Sequence, residues 1–410
     1  MRRLAVVPHS NSVASAYIHV PFCRHRCGYC NFALVAGRDD LFDDYLYCLE
    51  IELSRRLPAP WPVQTLFLGG GTPTHLPSDR LKRLLELLGY WLPVQSDGEY
   101  SVEANPLDCT KSCLTDLRSA GVNRLSLGGQ SFDDEKLQTL QRDHNGSQLL
   151  TVLDLAKDYF QNLSLDLIFG VPGESLDQWR QDVCMALDSP IVHLSTYGLT
   201  IERGANFYGR TLRGRLSELD SETQLSMYLL AIERLTSAGW QHYEVSNFSN
   251  PNYECRHNQV YWQGRYWWGF GPGAASFLPT TMAEDGLSQD KTVLPSRHQS
   301  EYSEAVRMTN HRSTTQYLRR MQQGISPIAE REPIDRQQAV RERLVFGLRQ
   351  RAGIDLRELD TMYGSDASQL FKPHLARFLE LGYLEQSGTQ LRLTQSGLVI
   401  SDSLWPDLLE

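Results

Sequence analysis

The sequence predicts an α/β protein built as an incomplete (β/α)6 barrel, a partial TIM barrel, followed by a smaller C-terminal helical, winged-helix-like domain. Three observations lead there. Short β-rich runs alternate with longer helix-patterned runs through the first half, the mark of βαβ units and a parallel sheet. Six such units fall short of the eight in a closed barrel, so the sheet should curve but stay open on one side, where a large ligand can enter. Most of the notable polar motifs lie at or just beyond the ends of these runs, where parallel α/β folds gather their functional groups.

The expected strands are 16–20, 65–68, 99–103, 124–127, 164–169 and 193–197. A helix is expected over 40–57, because Leu41, Tyr45, Leu49 and Leu53 recur every four residues and Leu46 and Leu57 widen the apolar stripe. After Tyr197 the pattern loosens into a helix near 221–238, a strand at 242–246 and an aromatic, glycine-rich stretch over 253–277. Residues 279–298 are polar and punctuated, and read as a long loop. Helical periodicity returns from Pro333 and is clear in Arg341-Glu-Arg-Leu-Val-Phe-Gly-Leu348; two short helices and a hairpin at 382–393 then form a small domain with a β-wing. The expected division is a flexible lead-in at 1–15, a barrel with its extension at 16–278, a polar loop and linker at 279–332 and a small domain at 333–410.

A chain of 410 residues suits one large domain plus a smaller one. With 41% hydrophobic and 22% charged residues, neither disorder nor a fibrous repeat is suggested. The net charge of −9 argues against nucleic acid as a partner, since phosphate neutralisation needs a basic field. No window approaches the roughly 18 to 20 apolar residues that cross a bilayer, and the run behind Arg2 and Arg3 is too short for a signal-peptide core. Peripheral association with a membrane surface stays open. Of eight cysteines, three crowd into residues 23–30, which fits metal ligation in a reducing, cytoplasmic setting better than disulfides. Cys109 and Cys113 read as structural, and Cys48 and Cys184 as core.

Tyr17-Ile-His-Val-Pro-Phe-Cys23-Arg-His-Arg-Cys27-Gly-Tyr-Cys30 follows the first strand directly. Thiolates are soft ligands, and one loop carrying three of them can hold three corners of a [4Fe–4S] cubane while leaving the fourth iron open to an aminocarboxylate. Buried cysteines, or a zinc site with a distant fourth ligand, are the alternatives; zinc sites usually pair their cysteines two and two. Gly69-Gly70-Gly71-Thr72 follows the second strand, where glycines let backbone groups approach a ligand, although a tight turn explains such a run equally well. Glu103 stands at a strand end and also reads as a helix cap or ion-pair partner. Asp166 lies inside an apolar strand, where an unpaired carboxylate is costly.

The C-x3-C-x2-C spacing resembles the radical SAM superfamily, and the flanking Tyr-Ile-His-Val-Pro-Phe narrows the resemblance to the group around oxygen-independent coproporphyrinogen III oxidase. It covers residues 16 to about 400. It implies Cys23, Cys27 and Cys30 as cluster ligands and Tyr17, Gly70, Gly71, Thr72, Glu103, Gln130, Arg142 and Asp166 as contacts for one or two molecules of S-adenosylmethionine (SAM). Taken alone, Arg142 is an ordinary solvated helix charge and Tyr17 an ordinary core tyrosine. The oxidase carries a fourth cysteine two residues after the third; here that position is Phe32, the pattern of the heme chaperones called HemW. Cys255-Arg-His257-Asn258-Gln-Val-Tyr261-Trp262 reproduces that branch's His-Asn-x-x-Tyr-Trp motif. An imidazole is a good axial ligand for heme iron, and Tyr261, Trp262, Tyr266, Trp267 and Trp268 can cover a macrocycle. A histidine beside aromatics is equally the pattern of a packed side chain.

The resemblance therefore implies a heme chaperone with a SAM-binding cluster, whose partners are heme, heme-acceptor proteins and an electron donor. A radical SAM porphyrinogen oxidase is the alternative, and a structural or zinc-holding protein a third. Catalytic residues are not assigned.

Overall fold

A computed structural model describes residues 13–283 and 305–409. Six parallel strands stand side by side in chain order: β1 (Ser15–Val20), β2 (Val63–Gly70), β3 (Val94–Ala104), β4 (Arg124–Gln130), β5 (Asn162–Phe169) and β6 (His193–Gly198). Each contains one of the expected strands. Helices α1 (Phe42–Arg56), α2 (Ser78–Trp91), α3 (Lys111–Ser119), α4 (Gly146–Ala156) and α5 (Leu176–Leu187) form the crossovers, and α6 (Ser221–Ser237) follows β6. Asn145 with Gln148 and Ser175 with Gln178 form capping boxes that start α4 and α5 where the chain leaves the mouth of the barrel.

The strands alternate because one face packs in the apolar core and the other faces the lumen. Leu66 and Leu68 of β2, Leu125 and Leu127 of β4 and Leu163, Leu165 and Leu167 of β5 are fully buried in one continuous core. The intervening positions carry polar and aromatic groups, including Thr65, Phe67, Ser126 and Asp166. These residues make the functional lining.

The sheet extends beyond six strands at both edges. Beside β6 lie β7 (Gln241–Glu244) and β8 (Asn247–Ser249), and beside β1 lies β9 (Trp268–Phe270), paired in parallel. The nine strands end on β9 and β7, which do not pair with each other, so the barrel is open as expected. The strand expected at 242–246 is instead a hairpin. Glu244 turns the chain by accepting from the backbone N–H of Ser246 at 3.3 Å and from the Asn247 amide.

The helix α7 (Arg256–Trp262) precedes β9, and β10 (Ala275–Pro279) follows it. The expected linker at 279–332 is corrected in its described part. Ala305–Asn310 (β11) and Ile328–Ile334 (β12) complete a three-stranded antiparallel sheet with β10, and Thr314–Gln322 is a helix, α8. The segment reads as polar because Arg307 pairs with Glu332 on the neighbouring strand at 2.7 Å and with Glu342 on the helix that follows at 2.5 Å. Much of the loop expected at 279–298, and most of the lead-in expected at 1–15, lie outside the described residues; Val13 is already buried and Ser15 opens β1.

A buried ion pair joins this sheet to the barrel. Glu52 of α1 accepts from Arg56 at 2.9 Å, Asn310 at 2.8 Å, the Gly271 N–H at 2.9 Å and the Tyr317 hydroxyl at 2.7 Å. Arg56 in turn donates to the Gly269 carbonyl at 2.7 Å and Ser276 at 2.8 Å. Of the two cysteines expected in the core, Cys48 is buried in α1, whereas Cys184 lies on the exposed side of α5.

The C-terminal domain has its own core of Val340, Leu344, Leu348, Leu359, Phe371, Phe378, Leu391 and Trp405. Its helix α9 (Arg336–Arg349) packs against a three-stranded sheet of β13 (Ile354–Asp355), β14 (Leu384–Ser387) and β15 (Gln390–Leu393), the expected hairpin being β14 and β15. No helix of the described residues is long and apolar enough to cross a membrane.

Because Arg56 would be left buried without its carboxylate, Glu52→Ala should cost about 3–5 kcal/mol of stability. Urea unfolding measures this, and a loss below about 1 kcal/mol would show that the pair does not hold the edge closed.

Candidate functional site

The three thiols sit on the loop that leaves β1. Phe22 and Cys23 pair with Val35 and Ala36, Arg26 donates to the Leu34 carbonyl at 2.7 Å, and the Cys30 N–H donates to the Cys27 carbonyl at 3.2 Å, so the loop closes on itself. His19, buried on β1, pins it from below, its ring contacting the Ala33 carbonyl at 2.6 Å and the Tyr17 hydroxyl at 3.1 Å. Burial pushes that imidazole down to about 4, so it is neutral. Gly28 admits no side chain, since a Cβ there would meet the Phe207 ring at 2.0 Å.

Cys27 is buried, and Cys23 and Cys30 are half-exposed. Arg142 lies 3.4 Å from the Cys27 sulfur, and the Thr72 hydroxyl 3.3 Å from that of Cys23. Burial pushes the Cys23 thiol up to about 12 against the pull of Thr72 and Arg142, and burial also raises Cys30. Metal ligation takes thiolates, so ligation of iron here would release these protons. Among the described residues no three His, Cys, Asp or Glu groups close around a single ion.

The residues expected to contact SAM converge on the mouth above these thiols. Gly71 and Thr72 donate backbone bonds to Val20 at 2.8 Å and Phe22 at 2.7 Å, so the glycine loop is sewn to the cluster loop. A Cβ on Gly71 would meet the Phe22 carbonyl oxygen at 2.6 Å, and Gly70 has φ +106°. The glycines are thus required first by the close approach of two protein loops. Glu103 accepts from the Gly70 N–H at 3.1 Å; burial, and then the neighbouring Asp166, push its carboxyl up to about 7. Asp166 accepts from Ser126 at 3.3 Å and is raised by burial. Arg142 donates to the Gly128 carbonyl at 2.8 Å, while its buried Nε has no hydrogen-bond partner among the described residues. Gln130 holds φ +67°, a left-handed conformation that a non-glycine residue adopts at a cost. Just beyond it, Ser131 and the Phe132 N–H both bind Asp182 at 2.7 Å, and Lys136 binds Asp182 at 2.8 Å, an ion cluster that fixes this turn.

Below the mouth the lumen runs down β2. Thr65, Phe67 and Gly69 are alternate residues of one face. A Cβ on Gly69 would meet Glu103 at 2.6 Å. Phe67 lies between two rings, Tyr17 at 6.2 Å and His257 at 5.2 Å, both within 30° of parallel. Thr65 holds His257 Nδ1 at 2.8 Å, and the Tyr261 hydroxyl holds Nε2 at 2.8 Å.

His257 therefore belongs to a helix that floors the barrel. The carboxylate of Glu99 accepts from the backbone N–H groups of Arg256 at 2.9 Å and His257 at 3.1 Å, serving as the cap that α7 lacks in its own sequence. Only 1% of His257 is exposed, and burial with the nearby Arg124 pushes its imidazole down to about 3. The expected heme set is split between two faces. His257 and Tyr261 point into the lumen, whereas Trp262 turns to the C-terminal domain, with Arg349 4.7 Å over its ring and Phe346 at its edge. Asn258, one turn before Trp262, shares that outer face. Trp268 is core, so the aromatic stretch does not form one continuous cover.

Sequence reasoning did not single out Glu99, Phe67, Thr65, Arg124 or His19 as site residues. Glu99 carried a usable signal, a carboxylate within a strand flanked by Tyr100 and Val102, the argument that flagged Asp166. A recess of about 450 Å3 lined by Arg118, Asn123, Lys157, Tyr159 and Tyr253 opens elsewhere and includes none of the expected site residues.

An open parallel barrel with a three-cysteine loop at its mouth defines a radical SAM architecture. The chain matches the radical SAM superfamily over residues 17–183 and the HemN C-terminal domain over residues 334–400. It is 31% identical to the Heme chaperone HemW of Bacillus subtilis, covering 95% of this chain and 98% of that protein. It is 32% identical to the mitochondrial Radical S-adenosyl methionine domain-containing protein 1 of Danio rerio, covering 98% and 88%. The solved structure of coproporphyrinogen III oxidase (HemN) from Escherichia coli superposes with a TM-score of 0.79 at 21% identity, over 98% of this chain and 91% of that one, and shows the shared fold. The chain belongs to the HemW family of the radical SAM superfamily.

Cys27→Ser should abolish the cluster, because a hydroxyl is a poor ligand for iron; a reconstituted variant retaining about four irons per chain would contradict the ligand assignment. Glu103 holds its proton more tightly in the folded chain than its ordinary value of 4.5 allows. Its contribution to stability is full below that value and lost as pH rises through about 7. Without ligand, Glu103→Gln should therefore melt higher than the parent in alkaline but not in acidic buffer, and a pH-independent difference would show the carboxyl to be unperturbed.

Proposed function

We propose that this chain is a heme-binding chaperone that carries a SAM-binding [4Fe–4S] cluster on Cys23, Cys27 and Cys30 and passes heme to acceptor proteins. The observation that carries the reading is the helix α7, which holds His257 and Tyr261 of the His-Asn-x-x-Tyr-Trp motif in the lumen below the glycine loop and turns Trp262 outward. Relatives over almost the whole chain are named heme chaperones. Phe32, 65% exposed where the oxidase has a further cysteine, disfavours the porphyrinogen oxidase.

In the mouth, Gly70, Gly71 and Thr72 would receive the methionine end of SAM, Glu103 and Asp166 would accept its donors, and Arg142 would face its carboxylate. The buried, partnerless Nε of Arg142 and the raised Glu103 fit a polar ligand placed between them. The cluster, once bound and reduced, supplies one electron, which requires an electron donor. Thiolates holding a cluster suit the cytoplasm or an equivalent reducing compartment.

Heme ligation by His257 must compete with Thr65 and Tyr261, since both ring nitrogens are engaged. The helix would have to release the imidazole from the lumen, and the aromatic faces of Tyr261 and Trp262 would be reorganised with it. Ligation needs the neutral imidazole, and in the packed state burial keeps it neutral.

His257→Ala should therefore shift the Soret band or weaken heme uptake. Thr65→Val, which removes one competing bond, should strengthen uptake. A normally folded His257→Ala protein with an unaltered heme spectrum would remove His257 as a ligand and restore it to a packing role. Asp166→Ala should weaken SAM binding in equilibrium measurements, and unchanged affinity would leave Asp166 a structural carboxylate.

A further inference from the structure

We propose that His25, which lies between the first two cluster cysteines, is a positioning residue that aims Arg142 at the carboxylate of SAM. This rests on the cluster and SAM reading and adds a residue to which that reading gives no role. The half-buried ring of His25 places Nε2 2.7 Å from the Gln141 carbonyl oxygen. A carbonyl accepts and cannot donate, so Nε2 carries the proton. The bond runs from the cluster loop to the turn that presents Arg142.

That turn is costly to hold. The short helix Asp134–Thr139 ends in a Schellman motif, in which the Gln141 N–H donates to the Gln138 carbonyl at 3.0 Å and the Arg142 N–H to the Leu137 carbonyl at 2.9 Å. The left-handed position of such a motif is usually glycine, and here it is Gln141 at φ +60°. A residue stays in that conformation where its surroundings hold it. His25 holds the Gln141 carbonyl, Asn105 donates to Asp143 at 3.3 Å, and the buried His144 ring lies 2.9 Å from the Gly129 carbonyl.

Arg142 projects from between these fixed points. Its guanidinium donates to the Gly128 carbonyl and reaches the Cys27 sulfur, a weak acceptor, beside Tyr29. The His25 bond fixes the main chain at the base of the arginine, while the tip rests against the cluster loop itself. Whatever orders that loop therefore also sets the peptide from which Arg142 projects. An arginine oriented in advance does not have to be ordered by the ligand, which strengthens binding without adding a contact.

The test is equilibrium titration of SAM into the anaerobically reconstituted protein, with iron and sulfide counted on each sample. His25→Ala should keep the parent's cluster content and bind SAM about tenfold more weakly, the scale of one charge-assisted hydrogen bond. His25→Gln, whose side-chain amide can donate to the same carbonyl, should recover most of the affinity. Gln141→Val, which disfavours the left-handed turn and leaves the cluster loop unaltered in sequence, should weaken SAM binding in the same way. The double variant decides the route: in an Arg142→Ala background, His25→Ala should weaken binding no further. Parent affinity in His25→Ala or Gln141→Val, loss of the cluster in His25→Ala, or additive losses in the double variant would overturn the positioning role. A parent protein that holds its cluster and does not bind SAM would instead overturn the reading on which the role rests.

Discussion

Strand β2 is the constraint on which the rest depends. Its neighbours are β1, which delivers the cluster loop, and β3, which carries Glu99 and Glu103. Period-two alternation sends Thr65, Phe67 and Gly69 to one face, and each meets a different part of the site. Gly69 lets Glu103 close on the mouth, Phe67 stacks between Tyr17 and His257, and Thr65 anchors His257 at the floor. A one-residue shift of register would turn all three away together.

The lumen is a stack of buried polar groups that depend on one another. Glu99 is stabilised by two backbone N–H donors and by proximity to Arg124, and Arg124 also contacts His193 at 3.3 Å. His193 reaches Ser164 and Tyr243 at 2.8 Å each. Such a network is costly to leave half-satisfied, so withdrawal of α7 would expose an unpaired Glu99. Release of His257 would carry a penalty that any bound ligand would have to offset. The same network joins floor and mouth, because the Tyr261 hydroxyl, raised first by burial, is raised further by the nearby Cys255 and Glu103.

How much of this was legible follows from what each signal encodes. The six strands were visible because short apolar runs alternate with helical ones, and the hairpin of the small domain because its turn residues punctuate it. The mouth residues were visible through the family motif, and the structure assembles them. The direction in which α7 faces was not visible. Sequence spacing pairs His257 with Tyr261 and Asn258 with Trp262, but only Glu99, on a strand far away in the chain, decides which pair enters the lumen. The strands β11 and β12 were read as linker because their charges pair across strands, at Arg307 with Glu332, and a single sequence shows such charges only as polar residues.

The central claim is that Cys23, Cys27 and Cys30 hold a cluster whose remaining iron faces a SAM site built by Gly70, Glu103, Arg142 and Asp166. Electron paramagnetic resonance of the reduced, reconstituted protein with and without SAM tests it most directly. SAM binding at that iron should shift the g-values of the cluster, and the Glu103→Gln variant should need more SAM to produce the shift. A cluster spectrum that does not respond to saturating SAM would contradict the account.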